Sequence, residues 1–170
     1  TELNARTEVW VKDLPSGTFT RLAGEGTYSY RCVWTPDGKS VSFTTDRFGR
    51  PTVFAVAADG GSAPHLAIKN PRGVDESTWS SDGKWVVYRI GSGGNRDIYI
   101  RGVTDSTGRP LIHSESEEFA PAISPDGRWI AFGTDESGRT EVYVRPFPGV
   151  DRTKWQISKA GGSEPAWSAD

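Results

Sequence analysis

The sequence repeats itself with a step of 44 or 45 residues. WTPDGKSVSF (34–43), WSSDGKWVVY (79–88) and ISPDGRWIAF (123–132) are versions of one text, and WSAD (167–170) begins a further copy. Their turn aspartates, Asp37, Asp82, Asp126 and Asp170, lie 45, 44 and 44 residues apart. A second signature keeps the same step: EVWV (8–11), TVFAV (52–56), DIYI (97–100) and EVYV (141–144). Two motifs in one register describe a stack of equal supersecondary units, each too small to bury its own apolar surface.

The pieces are strands. They run four to six residues, are rich in β-branched and aromatic side chains, and are separated by Gly/Pro/Asp/Ser turns. No apolar pattern recurs at helical spacing over ten or more positions. Each repeat parses into four strands. The first ends at Trp34, Trp79, Ile123 or Trp167. A Ser/Thr-x-Asp-Gly stretch with type I turn chemistry follows, then SVSF, WVVY or WIAF as the second strand. A polar hairpin (TDRFGRPT, GSGGNRD or TDESGRTE) leads to the third strand. A short outer strand sits around Leu22, Leu66, Leu111 and Trp155. Four antiparallel strands per repeat is the pattern of a β-propeller blade, and the expected fold is an all-β propeller built from such blades. Trp10, Phe54, Tyr99 and Tyr143, at equivalent positions, are expected to pack between neighbouring blades.

The expected division of the chain is 1–29 as outer strands of a split blade, three whole blades at 30–74, 75–118 and 119–162, and 163–170 as the inner strand of a next blade. Thr1 aligns with Thr45 and Asp170 with Asp37, so the counterpart of GKSVSFT (38–44), a blade's second strand, is the part of the fourth repeat that the chain does not carry. With no methionine, even at position 1, the sequence reads as a piece of a longer protein. Two arrangements follow: an arc of a ring of six to eight blades, or two arcs joined as a symmetric pair through their open edges. A self-contained four-bladed ring ranks third.

The W-S-P-D-G-K-x-I-A-F…G-x-x-x-I-Y-V pattern resembles the WD-like repeats of TolB-type β-propellers. The same repeat occurs in propellers attached to prolyl-oligopeptidase-like peptidases and to bacterial eukaryotic-type serine/threonine kinases. YVRPFPGVDRTKWQISKAGGSEPAWSAD (143–170) is similar to the extracytoplasmic propellers of those kinases. The resemblance covers the whole chain and implies a propeller placed in the periplasm or otherwise outside the cytoplasm. Ser81 departs from the pattern, where proline is usual.

Little in the sequence carries chemistry. A net charge of -2 with mixed signs does not suit a non-specific nucleic-acid binder, and no run approaches the length of a membrane helix. Cys32, the one cysteine, leaves no internal disulfide. The two histidines, His65 and His113, fall at blade edges, and there is no G-x-S-x-G elbow. GSGGN (91–95) lies in a hairpin, not between a strand and a helix, so it does not read as a phosphate loop. The turn aspartates, Asp37, Asp82, Asp126 and Asp170, are read as structural acceptors of backbone N–H groups. Asp46, Asp135 and Glu136 lie in the second hairpin of their repeats, where an isolated Ca²⁺ site is conceivable, but the spacing does not match a calcium loop. No cofactor or metal is expected.

The binding candidates are on the first strands, which line the channel of a propeller. Aligned on the repeat, one position reads Arg31, Glu76, Ala120, Glu164, and its neighbour reads Tyr30, Asp75, Phe119, Ser163. Such variation in charge suits a wet channel rather than a core, which makes Tyr30, Arg31, Asp75, Glu76, Phe119 and Glu164 the candidates. The expected function is a non-catalytic binding or scaffold module for a protein or peptide, with self-association through open blade edges. The alternative is the accessory or sensor domain of an enzyme, a kinase or a hydrolase, whose catalytic part lies elsewhere. A third reading is structural, a fragment that exists mainly to test or show how propeller arcs assemble.

Overall fold

The computed structural model describes residues 7–24 and 28–168. Among them there is no helix, and therefore none long and apolar enough to cross a membrane. The strands are β1 (Val9–Lys12), β2 (Phe19–Ala23), β3 (Ser29–Trp34), β4 (Ser40–Thr45), β5 (Thr52–Ala57), β6 (His65–Ile68), β7 (Val74–Trp79), β8 (Trp85–Ile90), β9 (Asp97–Gly102), β10 (Arg109–Ile112), β11 (Glu118–Ile123), β12 (Trp129–Thr134), β13 (Glu141–Pro146) and β14 (Trp155–Gln156). They form three four-stranded sheets, β3 to β6, β7 to β10 and β11 to β14, each in sequence order, and the two-stranded sheet β1–β2. These are propeller blades: β3, β7 and β11 end at Trp34, Trp79 and Ile123, where the repeat closes each first strand.

The second strand of each blade is its axis. β4, β8 and β12 share one burial profile, a half-buried first residue followed by five buried ones. A strand covered on both faces needs a continuous apolar or small run, and SVSFTT, WVVYRI and WIAFGT supply it. Arg89 in β8 is the exception and requires a partner.

The chain divides into two compact units, residues 1–75 and 76–170. In the first, Val9 and Leu22 of the β1–β2 sheet pack on Val41, Phe43 and Val56, with Phe54 at the edge of the cluster. In the second, Val87, Ile98, Ile100, Leu111 and Ile112 pack on Ile130, Phe132, Tyr143, Phe147 and Val150. Phe54 and Tyr143 thus take the packing role expected of them. Trp10 is half exposed, and Tyr99 lies 6.1 Å from the Tyr88 ring.

Residues 163–168 form no ladder among the described residues. The indole of Trp167 donates to the Ala122 carbonyl at 2.9 Å, which ties this segment to β11.

Candidate functional site

Three turn aspartates are absorbed by their own hairpins in an identical way. The hydroxyls of Thr35, Ser80 and Ser124 donate to Asp37, Asp82 and Asp126 at 2.7, 2.6 and 2.6 Å. The same carboxylates accept from the backbone N–H of Lys39, Lys84 and Arg128 at 3.1, 3.0 and 3.0 Å. Each hydroxyl in turn accepts from the N–H five residues on, that of Ser40, Trp85 or Trp129. The hydroxyl hydrogen bond, before all else, holds all three carboxyls below the ordinary aspartate range, with Asp126 lowered to about 2. The Ser/Thr of the motif is therefore a bridging group as well as a turn former. Asp170 lies outside the described residues.

The inner-strand candidates separate into different environments. In the first unit, β3 shifts register against β4 between Tyr30 and Val33, and Arg31 stands at φ 51. Arg31 is exposed, Tyr30 and Asp75 are half buried, and the Asp75 carbonyl accepts from the Thr44 hydroxyl at 2.9 Å. In the second unit, β11 carries the same shift between Phe119 and Ala122, with Ala120 at φ 49. That conformation, uncommon for a residue with a Cβ, turns the Ala120 N–H out of the β11–β12 ladder. Glu76, one repeat earlier, receives it at 2.6 Å on one carboxylate oxygen and faces the Arg89 Nε at 3.2 Å with the other. Both side chains of this ion pair are more than nine-tenths buried. Phe119 is buried beneath the Arg96 guanidinium, 4.3 Å from its ring centre, and lies against Gly133. Glu164 is exposed. The structure thus brings Glu76 and the backbone of Ala120 together, but as a buried brace, and sets Phe119 in the interior.

Other groups singled out by type have local roles. The Asp46 and Asp135 carboxylates accept from the N–H of Tyr28 and Glu117, at 3.2 and 2.9 Å, fixing the entry to β3 and β11. Glu136 pairs with Lys154. His65 and His113 are exposed, and the Gly91 carbonyl of GSGGN accepts from Arg89. Among the described residues no three His, Cys, Asp or Glu side chains are grouped to hold a metal ion.

A groove of about 540 Å³ lies in the first unit, between the β1–β2 sheet and the β3–β6 blade. Its floor is Leu22, Phe43 and Phe54, and its walls are Arg21, Arg47 and Phe48. Phe48 stacks on Phe54 with ring centres 5.4 Å apart and planes 21° apart, yet remains two-thirds exposed. The Arg47 guanidinium lies 5.8 Å from the Phe48 ring, and Arg21 pairs with Glu8 at 2.8 Å on the opposite rim.

The hairpin that displays Arg47 and Phe48 repeats elsewhere with other cargo. In Asp46-Arg47-Phe48-Gly49 the Gly49 N–H donates to the Asp46 carbonyl at 2.8 Å with Gly49 at φ 86. In Asp135-Glu136-Ser137-Gly138 the same bond is 2.8 Å and Gly138 also stands at φ 86. The scaffold is held constant while an exposed Arg-Phe pair replaces Glu-Ser. Reading the hairpins only as polar connections overlooks this pair. The available signal was a phenylalanine at a loop tip where the aligned copy has serine.

Comparison with known proteins places the chain. The family model PD40, TolB beta propeller domain, matches residues 1–170. The fold resembles TolB from Acinetobacter baumannii, with TM-score 0.75 and 17% identity over 92% of this chain and 38% of that one. It also resembles a puromycin-hydrolyzing peptidase of Mycobacterium tuberculosis, with TM-score 0.70 and 16% identity over 90% of this chain and 26% of that one. In sequence, 73 residues are 32% identical to the uncharacterized peptidase YuxL of Bacillus subtilis (strain 168), spanning 42% of this chain and 11% of that protein.

Proposed function

Because the chain belongs to the TolB β-propeller family, we propose that it is a non-catalytic recognition module acting outside the cytoplasm, and that the groove beside Arg47 and Phe48 is where it takes a peptide or a segment of a partner protein. The exposed Phe48 ring, stacked on Phe54 and flanked by guanidinium groups, carries this reading. A rigid aromatic anchor beside a cation is the chemistry of a protein-binding hot spot. The ligand that fits is a segment with an apolar side chain next to a carboxylate: the first for the Phe43–Phe48–Phe54 surface, the second for Arg47. Self-association through open strand edges is a further contact in this reading, and β1 pairs on one side only among the described residues.

The test is fluorescence anisotropy with two labelled peptides of equal length, one carrying a Trp-Asp pair and the other Ala-Lys. Only the first binds, and Phe48→Ala weakens it by about tenfold or more, the effect of losing a hot-spot aromatic. Arg47→Glu weakens it as well, chiefly at low salt. Equal binding of both peptides, or an affinity unchanged by both substitutions, would refute the assignment.

A second reading follows from the similarity to YuxL and to the peptidase propellers: the chain is the accessory propeller of an enzyme whose catalytic domain is elsewhere. The reading frame on either side decides it. A G-x-S-x-G motif downstream, or a kinase domain and membrane helix upstream, supports this reading. Flanks made of further repeats alone would remove it.

A further inference from the structure

One hairpin is built twice in this chain, and only one copy balances its own charge. In the second unit, the turn between β12 and β13 carries Glu136 and Arg139. Glu136 pairs with Lys154. Arg139 pairs with the buried Glu141 at 2.6 Å and donates to the Lys159 carbonyl. Both charges are met within the β11–β14 blade.

In the first unit, the turn between β4 and β5 has the same geometry, and Arg50, aligned with Arg139, makes the same kind of brace. It donates to the Pro71 carbonyl at 2.9 Å, and the Val74 N–H donates to the Pro51 carbonyl at 2.8 Å. These two bonds hold the loop after β6 against the turn. That loop is ordered by its own bonds: the Gly73 N–H donates to the Asn70 carbonyl and the Arg72 N–H to the Asn70 side chain, each at 2.9 Å. The counter-charges, however, are replaced. Thr52 stands where the other copy has Glu141, Arg47 where it has Glu136, and Lys69 where it has Ser158, the hydroxyl that donates to Glu141. Arg47, Arg50 and Lys69 are exposed, and among the described residues none of the three is in an ion pair. Like charges on adjoining turns repel one another. The twin turn keeps its shape with balanced charges, so the fold does not require this arrangement. Both turns lie at strand ends of a complete four-stranded blade, not on the faces by which repeats stack.

We propose that Arg47, Arg50 and Lys69 form a cationic rim that continues the Phe48 groove and takes the acidic flank of the same ligand. The partner is then a peptide segment in which the apolar anchor and its carboxylate are flanked by further Asp or Glu residues. This inference rests on the peptide reading of the groove and adds the class of its ligand. Because the braces order both turns beforehand, little loop entropy opposes binding. The attraction acts mainly on the rate of association and is weakened by salt.

Fluorescence anisotropy with three labelled peptides of equal length tests it: Trp-Asp between Gly-Ser flanks, Trp-Asp between Asp-Glu flanks, and Ala-Asp between Asp-Glu flanks. At low salt the acidic Trp-Asp peptide binds about tenfold tighter than the neutral one, and the ratio falls to about twofold or less at roughly 0.5 M salt. Lys69→Glu and Arg50→Gln each remove most of that ratio. Lys69 makes no brace, so its substitution reads charge alone. Lys154→Gln, which removes a cation already matched by Glu136, leaves the ratio as it is. Equal affinities of the two Trp-Asp peptides would overturn the rim and leave the groove standing. An acidic Ala-Asp peptide that binds as tightly as the acidic Trp-Asp peptide, and still depends on Lys69, would support the rim and remove the groove. A loss with Lys154→Gln equal to that with Lys69→Glu would reduce the preference to net charge and overturn the assignment. So would tighter binding of a single-stranded oligonucleotide of the same charge.

Discussion

Removing the Glu76 carboxylate strikes the second unit at its most dependent point. Both Glu76 and Arg89 are almost wholly buried, at 8% and 5% side-chain exposure. Truncation of one member of such a pair costs about 3–5 kcal/mol, because the buried Arg89 charge keeps its hydrogen bond to the Gly91 carbonyl but loses its carboxylate. Glu76→Ala also strips the Ala120 N–H of its acceptor, within the same range, since one carboxylate serves both groups. Glu76→Gln retains an acceptor for that N–H while losing the charge, and falls between wild type and Glu76→Ala. The apolar double variant Glu76→Leu/Arg89→Met removes both charges, so its cost is chiefly that of the orphaned Ala120 amide, about 1–3 kcal/mol, with the half-buried Gly91 carbonyl also losing its Arg89 donor. Urea unfolding followed by tryptophan fluorescence and far-UV circular dichroism measures each variant. The double variant is expected to be more stable than Glu76→Ala. A Glu76→Ala cost below about 1 kcal/mol, the level of a solvated surface pair, would refute the burial argument. So would a double variant less stable than either single one.

Three further outcomes follow from the geometry. Ser124→Ala removes the hydroxyl that most lowers Asp126, so its carboxyl pKa rises from about 2 toward the ordinary 3.8; a carbon-detected NMR titration reads it. Because the folded value is depressed, the hairpin's contribution is present above about pH 4 and is lost as the pH falls toward 2, and the variant flattens that acid limb. Glu118 behaves in the opposite sense: burial raises its carboxyl above 4.5, against the lowering effect of the Ser114 hydroxyl, and one of its oxygens has no hydrogen-bond partner. Its ionisation therefore weakens the fold as the pH rises above 4.5. Glu118→Gln gains stability relative to wild type at pH 7 but not at pH 4, and equal differences at the two values in urea titrations would contradict this. Gly133→Ala places a methyl 2.7 Å from the Phe119 ring and 3.1 Å from the Ser163 carbonyl. Its cost of about 1–3 kcal/mol, seen in thermal unfolding, is partly relieved by Phe119→Leu.

The blade was legible because its determinants are local and repeated. Asp37, Asp82 and Asp126 act within six residues of chain, and the strands announce themselves by composition. The roles of Glu76 and Phe119 were not legible, because they depend on the left-handed turn at Ala120, to which the sequence attaches no glycine. Alignment on the repeat put Glu76 beside Arg31 and Glu164 as one variable polar position. The compensating Arg89 lies on a different strand and the compensated amide one repeat away, so neither appears in that comparison. Phe48 escaped attention for the converse reason: its hairpin is fully local and its neighbours are polar, and only the packing on Phe54 reveals a floor beneath it.

The central functional claim concerns that floor, and amide chemical-shift mapping tests it most directly. Titration of the Trp-Asp peptide into isotopically labelled chain should shift resonances along Arg21–Gly24, Thr45–Gly49 and Phe54, the elements that build the groove. The three Ser/Thr-Asp hairpins should stay unmoved. Shifts confined to other surfaces, or no shifts at millimolar peptide, would contradict the account.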